Sequence, residues 1–162
     1  EAPTIKDSNQ ATPDVIESAL TAEETISGPS EYEVMRTNSI AKKNRAIQTK
    51  LEKVISYTKQ TMVAYMSEED LNRLCTYVAE YSSGDTLQKI TPVKVDSQLK
   101  SIDIMHFGWN IGKAFGIKRI HTATFIKNVF AHTLRDLEIS TIERKMSHTE
   151  SECYIKLQQL KE

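Results

Sequence analysis

The sequence predicts an all-α protein, a bundle of about five helices behind a disordered acidic N-terminal arm. Apolar residues recur at spacings of three, four and seven, serines and threonines stand where helices would begin, and long β-branched runs are nearly absent. The 162 residues (18.4 kDa) favour one shared core. No apolar stretch approaches the ~20 residues that cross a bilayer. We therefore exclude a membrane-spanning protein and expect a cytoplasmic one.

Charge divides the chain into two parts. Residues 1–34 carry eight acids and one base, whereas residues 35–162 carry 20 bases and 14 acids. The few apolar side chains of the first part bury too little surface to offset the entropy of ordering. We predict a disordered arm over 1–34 and a single helical domain over 35–162. Within the arm a short helix from Asp14 to Ala22 is conceivable, marginal on its own, with one apolar side formed by Ile16, Ala19 and Leu20.

The first predicted helix runs from about residue 38 to residue 66. Its apolar stripe contains Ile40, Ile47, Leu51, Val54, Ile55, Met62, Tyr65 and Met66. The other faces carry six bases against one acid, which favours a solvated surface over a phosphate-binding one. Ser67 and the acids after it predict the start of a second helix that ends at Ser82–Gly84, so residues 38–84 form a helical hairpin.

Residues 85–100 are compatible with an extended connector or one short strand. A helix then opens at Ser101, apolar around much of its circumference, and Gly116 suits its left-handed end. Gly108 and Gly112 match no phosphate-binding loop, and more plausibly permit close helix approach.

Three capping signals predict the remaining helices. Thr122 is placed to cap a helix that stops near Thr133. Two capping boxes follow, one of Ser140 with Glu143 for a helix over 140–147, and one of Thr149 with Glu152 for a final helix. The apolar residues of that final helix are Tyr154, Ile155, Leu157 and Leu160.

The helices predicted over 101–115, 122–133 and 140–147 match the dimensions of a helix-turn-helix core. In such a core the last helix enters the major groove and basic side chains around it meet phosphates. The sequence therefore predicts contacts to double-stranded DNA from Lys118, Arg119, Lys127, Arg135, Thr141, Arg144 and Lys145. Three-helix cores also serve as plain packing units, and that alternative stays open.

Residues 101–160 resemble the C-terminal part of the RteC family, regulators carried on conjugative transposons of Bacteroides. The matching positions are Asp103, Ile104, Phe107, Phe125, Phe130, Leu134, Asp136, Glu138, Arg144, Lys145, Thr149, Tyr154 and Ile155. The resemblance implies a transcriptional regulator of a mobile genetic element with a winged-helix-like domain that binds promoter DNA. Position by position, it places DNA contact around Arg144 and Lys145.

The residues that catalysis or metal binding would need form no known constellation. Cys75 lies in an apolar stripe, as a core residue does, and His106 is best interpreted as a hydrogen-bonded core histidine. His148 with Cys153 makes a poor zinc site without a second pair of ligands. We therefore expect no catalytic residue, no metal and no cofactor, and an enzyme is the least supported class.

Two functional hypotheses remain. The first is a DNA-binding transcriptional regulator in which the basic body supplies salt-dependent affinity and the acidic arm competes for the same surface. The second is a non-enzymatic helical interaction or scaffold module that binds a protein partner, or a second copy of itself, through residues 38–66.

Overall fold

The computed structural model describes residues 28–84, 87, 89–149 and 152–160. Its helices are α1 (Glu31–Met62), α2 (Glu68–Ser82), α3 (Ser101–Phe115), α4 (Arg119–Val129) and α5 (Ile139–Lys145). The described residues contain no strand, which confirms the all-α class and leaves this part of the chain without the hairpin of a winged helix. Two compact units are distinguished, Glu1–Asn44 and Arg45–Glu162.

Helix α1 begins at Glu31, seven residues before the predicted start at residue 38. A reciprocal capping box fixes this end: the Ser30 hydroxyl accepts from Glu33 N–H, and the Glu33 carboxylate accepts from Ser30 N–H, both at 3.1 Å. The last four residues of the predicted arm, 31–34, are therefore helical, and the prediction for 1–27 lies outside the described residues. The helix ends at Met62, four residues earlier than predicted.

Helix α2 confirms its predicted capping signal, because the Ser67 hydroxyl accepts from Asp70 N–H at 3.2 Å. The connector that follows has no regular secondary structure between residues 89 and 96, and no strand forms there. It is tied to its neighbours by Val93 N–H, which donates to Val129 C=O at 2.9 Å, and by Tyr77, whose hydroxyl accepts from Thr91 N–H at 2.9 Å. These bonds hold the connector against α2 and α4.

Helix α3 is the centre of the second unit, with nine of its fifteen residues buried. Its glycines have the predicted roles. A Cβ on Gly108 would lie 2.9 Å from two atoms of the Ile126 side chain, and one on Gly112 would lie 2.6 Å from Thr122 Oγ1. Gly116 ends the helix with φ at +71°, the left-handed region that favours glycine. The two helical glycines therefore let α4 approach α3 closely.

Helix α4 begins at Arg119 rather than at Thr122. Lys118 takes the N-cap position, so Thr122 lies inside the helix, fully buried, and the cap predicted for it does not form. Its hydroxyl instead donates to Lys118 C=O at 3.2 Å and accepts from the Tyr81 hydroxyl at 2.5 Å. Burial raises the pKa of Tyr81 to about 12.

The capping box predicted from Ser140 and Glu143 does not form either. Helix α5 begins at Ile139 with Glu138 at its N-cap, and Ile142 N–H donates to Glu138 C=O at 3.0 Å. The helix is short, with Ile142 buried within it and Met146 buried just after it. These two side chains seat it on the rest of the unit.

The final helix predicted from Thr149 and Glu152 is wrong, because residues 152–160 follow an irregular path without helix. Their backbone bonds instead to a row of buried polar side chains on α3, which we call the polar row: Asp103, His106 and Asn110. Asp103 Oδ1 accepts from Tyr154 N–H at 2.6 Å and from Ile155 N–H at 3.0 Å. Its Oδ2 accepts from Lys100 N–H at 2.8 Å.

The other two members of the polar row complete the attachment. The Nδ1 of His106 lies 2.8 Å from Ile155 C=O and its Nε2 lies 2.6 Å from His148 C=O. Both ring nitrogens of His106 therefore face backbone carbonyl oxygens of the segment that follows α5. Asn110 donates to Lys156 C=O at 2.8 Å and accepts from Gln158 N–H at 2.8 Å. The burial of His106 and its two contacts with backbone carbonyl oxygens confirm it as a hydrogen-bonded core histidine.

We expect Asp103→Ala to lower the free energy of unfolding by about 3 kcal/mol, because three backbone N–H groups lose their acceptor. Asp103→Asn, which keeps one acceptor oxygen, should cost less. Urea denaturation measures both, and amide hydrogen exchange at Tyr154 and Ile155 reports release of the segment. The control is Asp96→Ala, which removes an exposed acceptor of Gln98 N–H. Equal costs for Asp103→Ala and Asp96→Ala would contradict the importance of the polar row.

We expect Gly112→Ala to destabilise the protein by about 1–3 kcal/mol, since the new methyl group overlaps Thr122. At an unobstructed helix position the same change stabilises by about 0.5–1 kcal/mol. In a Thr122→Ala background the cost should shrink, because the obstructing atoms are gone. A double-mutant cycle by thermal unfolding measures the coupling. A stabilising Gly112→Ala would show that α3 and α4 are not in close contact there.

Candidate nucleic-acid interface

Helices α3, α4 and α5 form the three-helix unit on which DNA contacts were predicted. The connection between α4 and α5 covers residues 130–138, longer than the three- or four-residue turn of a helix-turn-helix motif. Within α5, Ser140, Arg144 and Lys145 are exposed, while Thr141 and Glu143 are half-buried. The short helix therefore turns a polar, cationic face to the outside.

Arg119 is engaged inside the protein. Its guanidinium donates to Ser147 Oγ at 3.1 Å and to the carbonyl oxygens of Glu143 and Arg144. It also lies over the Trp109 ring, 5.0 Å from the centroid. A cation at the C-terminal end of a helix satisfies carbonyl groups that have no partner within the helix. Arg119 therefore caps α5, whereas the sequence assigned it to DNA.

Lys127 is engaged in the same way at the other end of α4. Its ammonium donates to three carbonyl oxygens of the α4–α5 connection, those of Leu134 at 2.8 Å, Arg135 at 3.2 Å and Leu137 at 2.6 Å. A lysine ammonium has three hydrogens to donate. Lys127 thus holds the connection in place, and its predicted phosphate contact has no donor left.

The structure brings three of the predicted cations to one end of the α4–α5 pair. Lys118 precedes Arg119 directly, and Arg119 reaches the carbonyl groups of the residues next to Lys145. We call Lys118, Arg144 and Lys145 the cationic end. All three are exposed, and among the described residues none of them forms an ion pair. Their charges are therefore available to an external anion.

Two predicted contacts lie elsewhere. Arg135 belongs to the connection that Lys127 holds, at the opposite end of α4 from the cationic end. It is 77% exposed and lies 4.0 Å from the Asp136 carboxylate, a surface pair of little energetic value. Thr141 lies half-buried in the first turn of α5. The seven predicted residues therefore do not form one continuous surface.

Lys113 and Trp109 also belong to this region, although neither is among the seven residues predicted as DNA contacts. The Lys113 ammonium lies 5.3 Å from the centroid of the Trp109 ring, the ring that Arg119 also covers. Trp109 is half-buried and Lys113 is exposed, so the lysine adds a cation close to Arg119. The spacing of four residues within α3 was the available signal.

A groove of about 520 Å³ lies beside α4, next to Lys118. Most of the lining is apolar, and Lys118 and His121 contribute ionisable side chains. The lining residues are Tyr81, Gly84, Leu87, Ile90, Ile117, Lys118, His121, Thr124, Phe125 and Asn128. In the part of the chain that the structure describes, no three His, Cys, Asp or Glu residues are grouped as metal ligands. Cys153 is buried, with its Sγ 3.5 Å from His106 Nδ1.

Comparison of the chain with protein-family models, with curated proteins and with solved structures finds no match. Across the described residues, no helix has the length and apolar character needed to span a membrane.

We expect Arg119→Ala to lower the free energy of unfolding by about 1–2 kcal/mol, because it leaves helix-end carbonyl groups without their charged donor. Arg119→Lys should rescue only partly, since an ammonium lacks the planar fork of a guanidinium. The control is Arg144→Ala, an exposed change expected to stay within about 0.5 kcal/mol. Thermal unfolding measures all three. Equal stability of the Arg119→Ala and Arg144→Ala variants would show that Arg119 is not a structural cap.

Proposed function

We propose that this protein binds double-stranded DNA and regulates transcription, with α5 directed at the major groove and the cationic end on the phosphates. The observation that carries the proposal is the exposure of Lys118, Arg144 and Lys145 at one end of the three-helix unit. Lysine and arginine without an internal partner gain most from phosphate, because binding releases counterions from DNA. The buried Ile142 holds α5 on the protein and leaves its polar face outward.

The two ends of α5 carry different side chains, and this difference supports contacts to base edges as well as to phosphates. Ser140 and Thr141 stand in its first turn, and hydroxyl groups can donate to or accept from base edges. Arg144 and Lys145 stand in its last turn, beside the Arg119 side chain that caps the helix. At seven residues α5 is about 10 Å long, enough for contact with a few base pairs.

The resemblance of residues 101–160 to the RteC family supports the regulatory part of the proposal. It points to the same two residues, Arg144 and Lys145, that the structure leaves exposed. On this view the protein is a regulator of a mobile genetic element.

A second candidate function is favoured by helix α1. Its large apolar side chains Val34, Met35, Ile40 and Ile47 are 44–60% exposed, although such side chains are usually covered. A non-enzymatic interaction module would use this helix to bind a protein partner. Ile40 and Ile47 lie within residues 38–66, the range predicted for such an interface, whereas Val34 and Met35 precede it. DNA binding is the better supported, because it also accounts for the cationic end.

The full chain should bind duplex DNA in a gel shift at ~50 mM salt, and Arg144→Ala with Lys145→Ala should weaken binding by about tenfold or more. Losing two phosphate contacts should also reduce the slope of log affinity against log salt by about two. The matched control is Lys89→Ala with Lys94→Ala, which removes the same charge from the exposed connector. Equal weakening by the two pairs, or no binding by the full chain, would refute the proposal.

A further inference from the structure

The first half of α1 exposes a face that mixes apolar and basic side chains. At 100° per residue, Tyr32, Met35, Arg36, Ile40 and Lys43 fall within an arc of about 140° on one side of the helix. Tyr32, Met35 and Ile40 are 69%, 60% and 44% exposed. We call these five residues the α1 face. From residue 36 to residue 44 the helix has three bases and no acid.

The chemistry of the α1 face selects an amphipathic acidic occupant. Tyr32, Met35 and Ile40 would gain from apolar contact, whereas Arg36 and Lys43 call for carboxylates. A nucleic acid would pair its phosphates with the two cations, but it would also place charged phosphates against the three apolar side chains. A segment with apolar residues on one side and acids beside them satisfies both.

Residues 1–27 of the same chain have this chemistry. They carry six acids and one base. The stretch from Asp14 to Ala22 places Ile16, Ala19 and Leu20 on one side if helical, with Glu17 within it and Glu23 directly after it. The segment is also covalently attached next to the α1 face, which raises its effective concentration above that of any external partner.

The junction with α1 contains residues that favour a turn. Gly28 has φ at +77°, Pro29 follows, and the Ser30–Glu33 capping box then starts the helix. The eight residues 23–30 fall within the usual length of a connection between antiparallel helices. If residues 14–22 ran antiparallel to α1 after such a connection, Leu20 would lie beside the first turns of α1 and Asp14 beside the region of Ile40 and Lys43.

We infer that the acidic segment 14–24 folds back and docks on the α1 face of its own chain. Its apolar side covers Tyr32, Met35 and Ile40, and its carboxylates pair with Arg36 and Lys43. This assignment differs from the expectation that the arm competes with DNA for the basic body, and it does not depend on DNA binding.

Zero-length carbodiimide cross-linking of the full chain tests the docking, because it joins only lysines and carboxylates already in contact. The sample is an equal mixture of unlabelled and ¹⁵N-labelled chains, digested and analysed by mass spectrometry. We expect isopeptide bonds between Lys43 and acids of residues 14–24, in peptides of uniform label. Mixed labels would assign the α1 face to a second copy, and absent cross-links would leave the segment undocked. Either result would overturn the inference.

A matched pair of variants separates docking from mere tethering. Ile40→Asp places a charge on the α1 face, and Val34→Asp places the same charge on the opposite side of the helix, where Val34 is also 44% exposed. Ile40→Asp should lower the cross-link yield by about tenfold, the loss expected when an apolar anchor is removed. Val34→Asp should leave it within about twofold. Circular dichroism confirms that both variants keep their helix. Equal losses would overturn the inference.

Discussion

The hydrogen bonds of the polar row to the backbone of the last residues are the constraint on which the second unit depends. Asp103, His106 and Asn110 are at most 1% exposed, and a buried polar group without a partner costs free energy. Each finds at least one partner in residues 148–158, 42 to 52 positions away in sequence. Asn110 also donates to the Tyr57 hydroxyl at 2.7 Å, which joins α1 to the same centre. Helix α3 can therefore be buried on most sides and still carry polar residues.

Cations have two separate roles in this protein. Arg119 and Lys127 each donate to backbone carbonyl groups and fix the two ends of the α4–α5 arrangement. Lys118, Arg144 and Lys145 remain outside and make the surface for which we propose a DNA partner. The first pair sets where the second group stands, since Arg119 holds the end of α5 beside the start of α4. Lysine and arginine therefore stabilise the fold at some positions and form the proposed DNA-binding surface at others nearby.

The sequence predicts well those elements whose signals are local. Helix α2 starts where Ser67 and its following acids indicate, and α3 ends where Gly116 indicates, because each signal acts within one turn. The prediction of a final helix was wrong because the interactions that decide the path of that segment are not local. Tyr154 and Ile155 belong to the apolar residues predicted for that helix, but their N–H groups bond to Asp103, a distant partner that no local sequence signal reveals. Long-range hydrogen bonds outweighed a local capping signal.

The candidate interface was predictable to the same extent. Basic residues could be located in the sequence, and Arg144 and Lys145 are exposed as the proposal needs. What the sequence does not show is which cations find carbonyl acceptors after folding. The acceptors of Arg119 lie 24 and 25 residues ahead, and those of Lys127 belong to an irregular connection. Backbone oxygens occur at every residue, so no residue pattern marks them.

The polar row bonds to main-chain atoms of the last segment, which every amino acid other than proline supplies alike. Substitutions at exposed positions such as Tyr154 and Gln158 would therefore keep the attachment intact. Asp103, His106 and Asn110 on α3 cannot be replaced in this way, because their side chains supply the bonding atoms. Over evolutionary time the exposed positions of this segment can diverge in sequence while its path stays the same, and related proteins would share the anchors on α3 more than those positions.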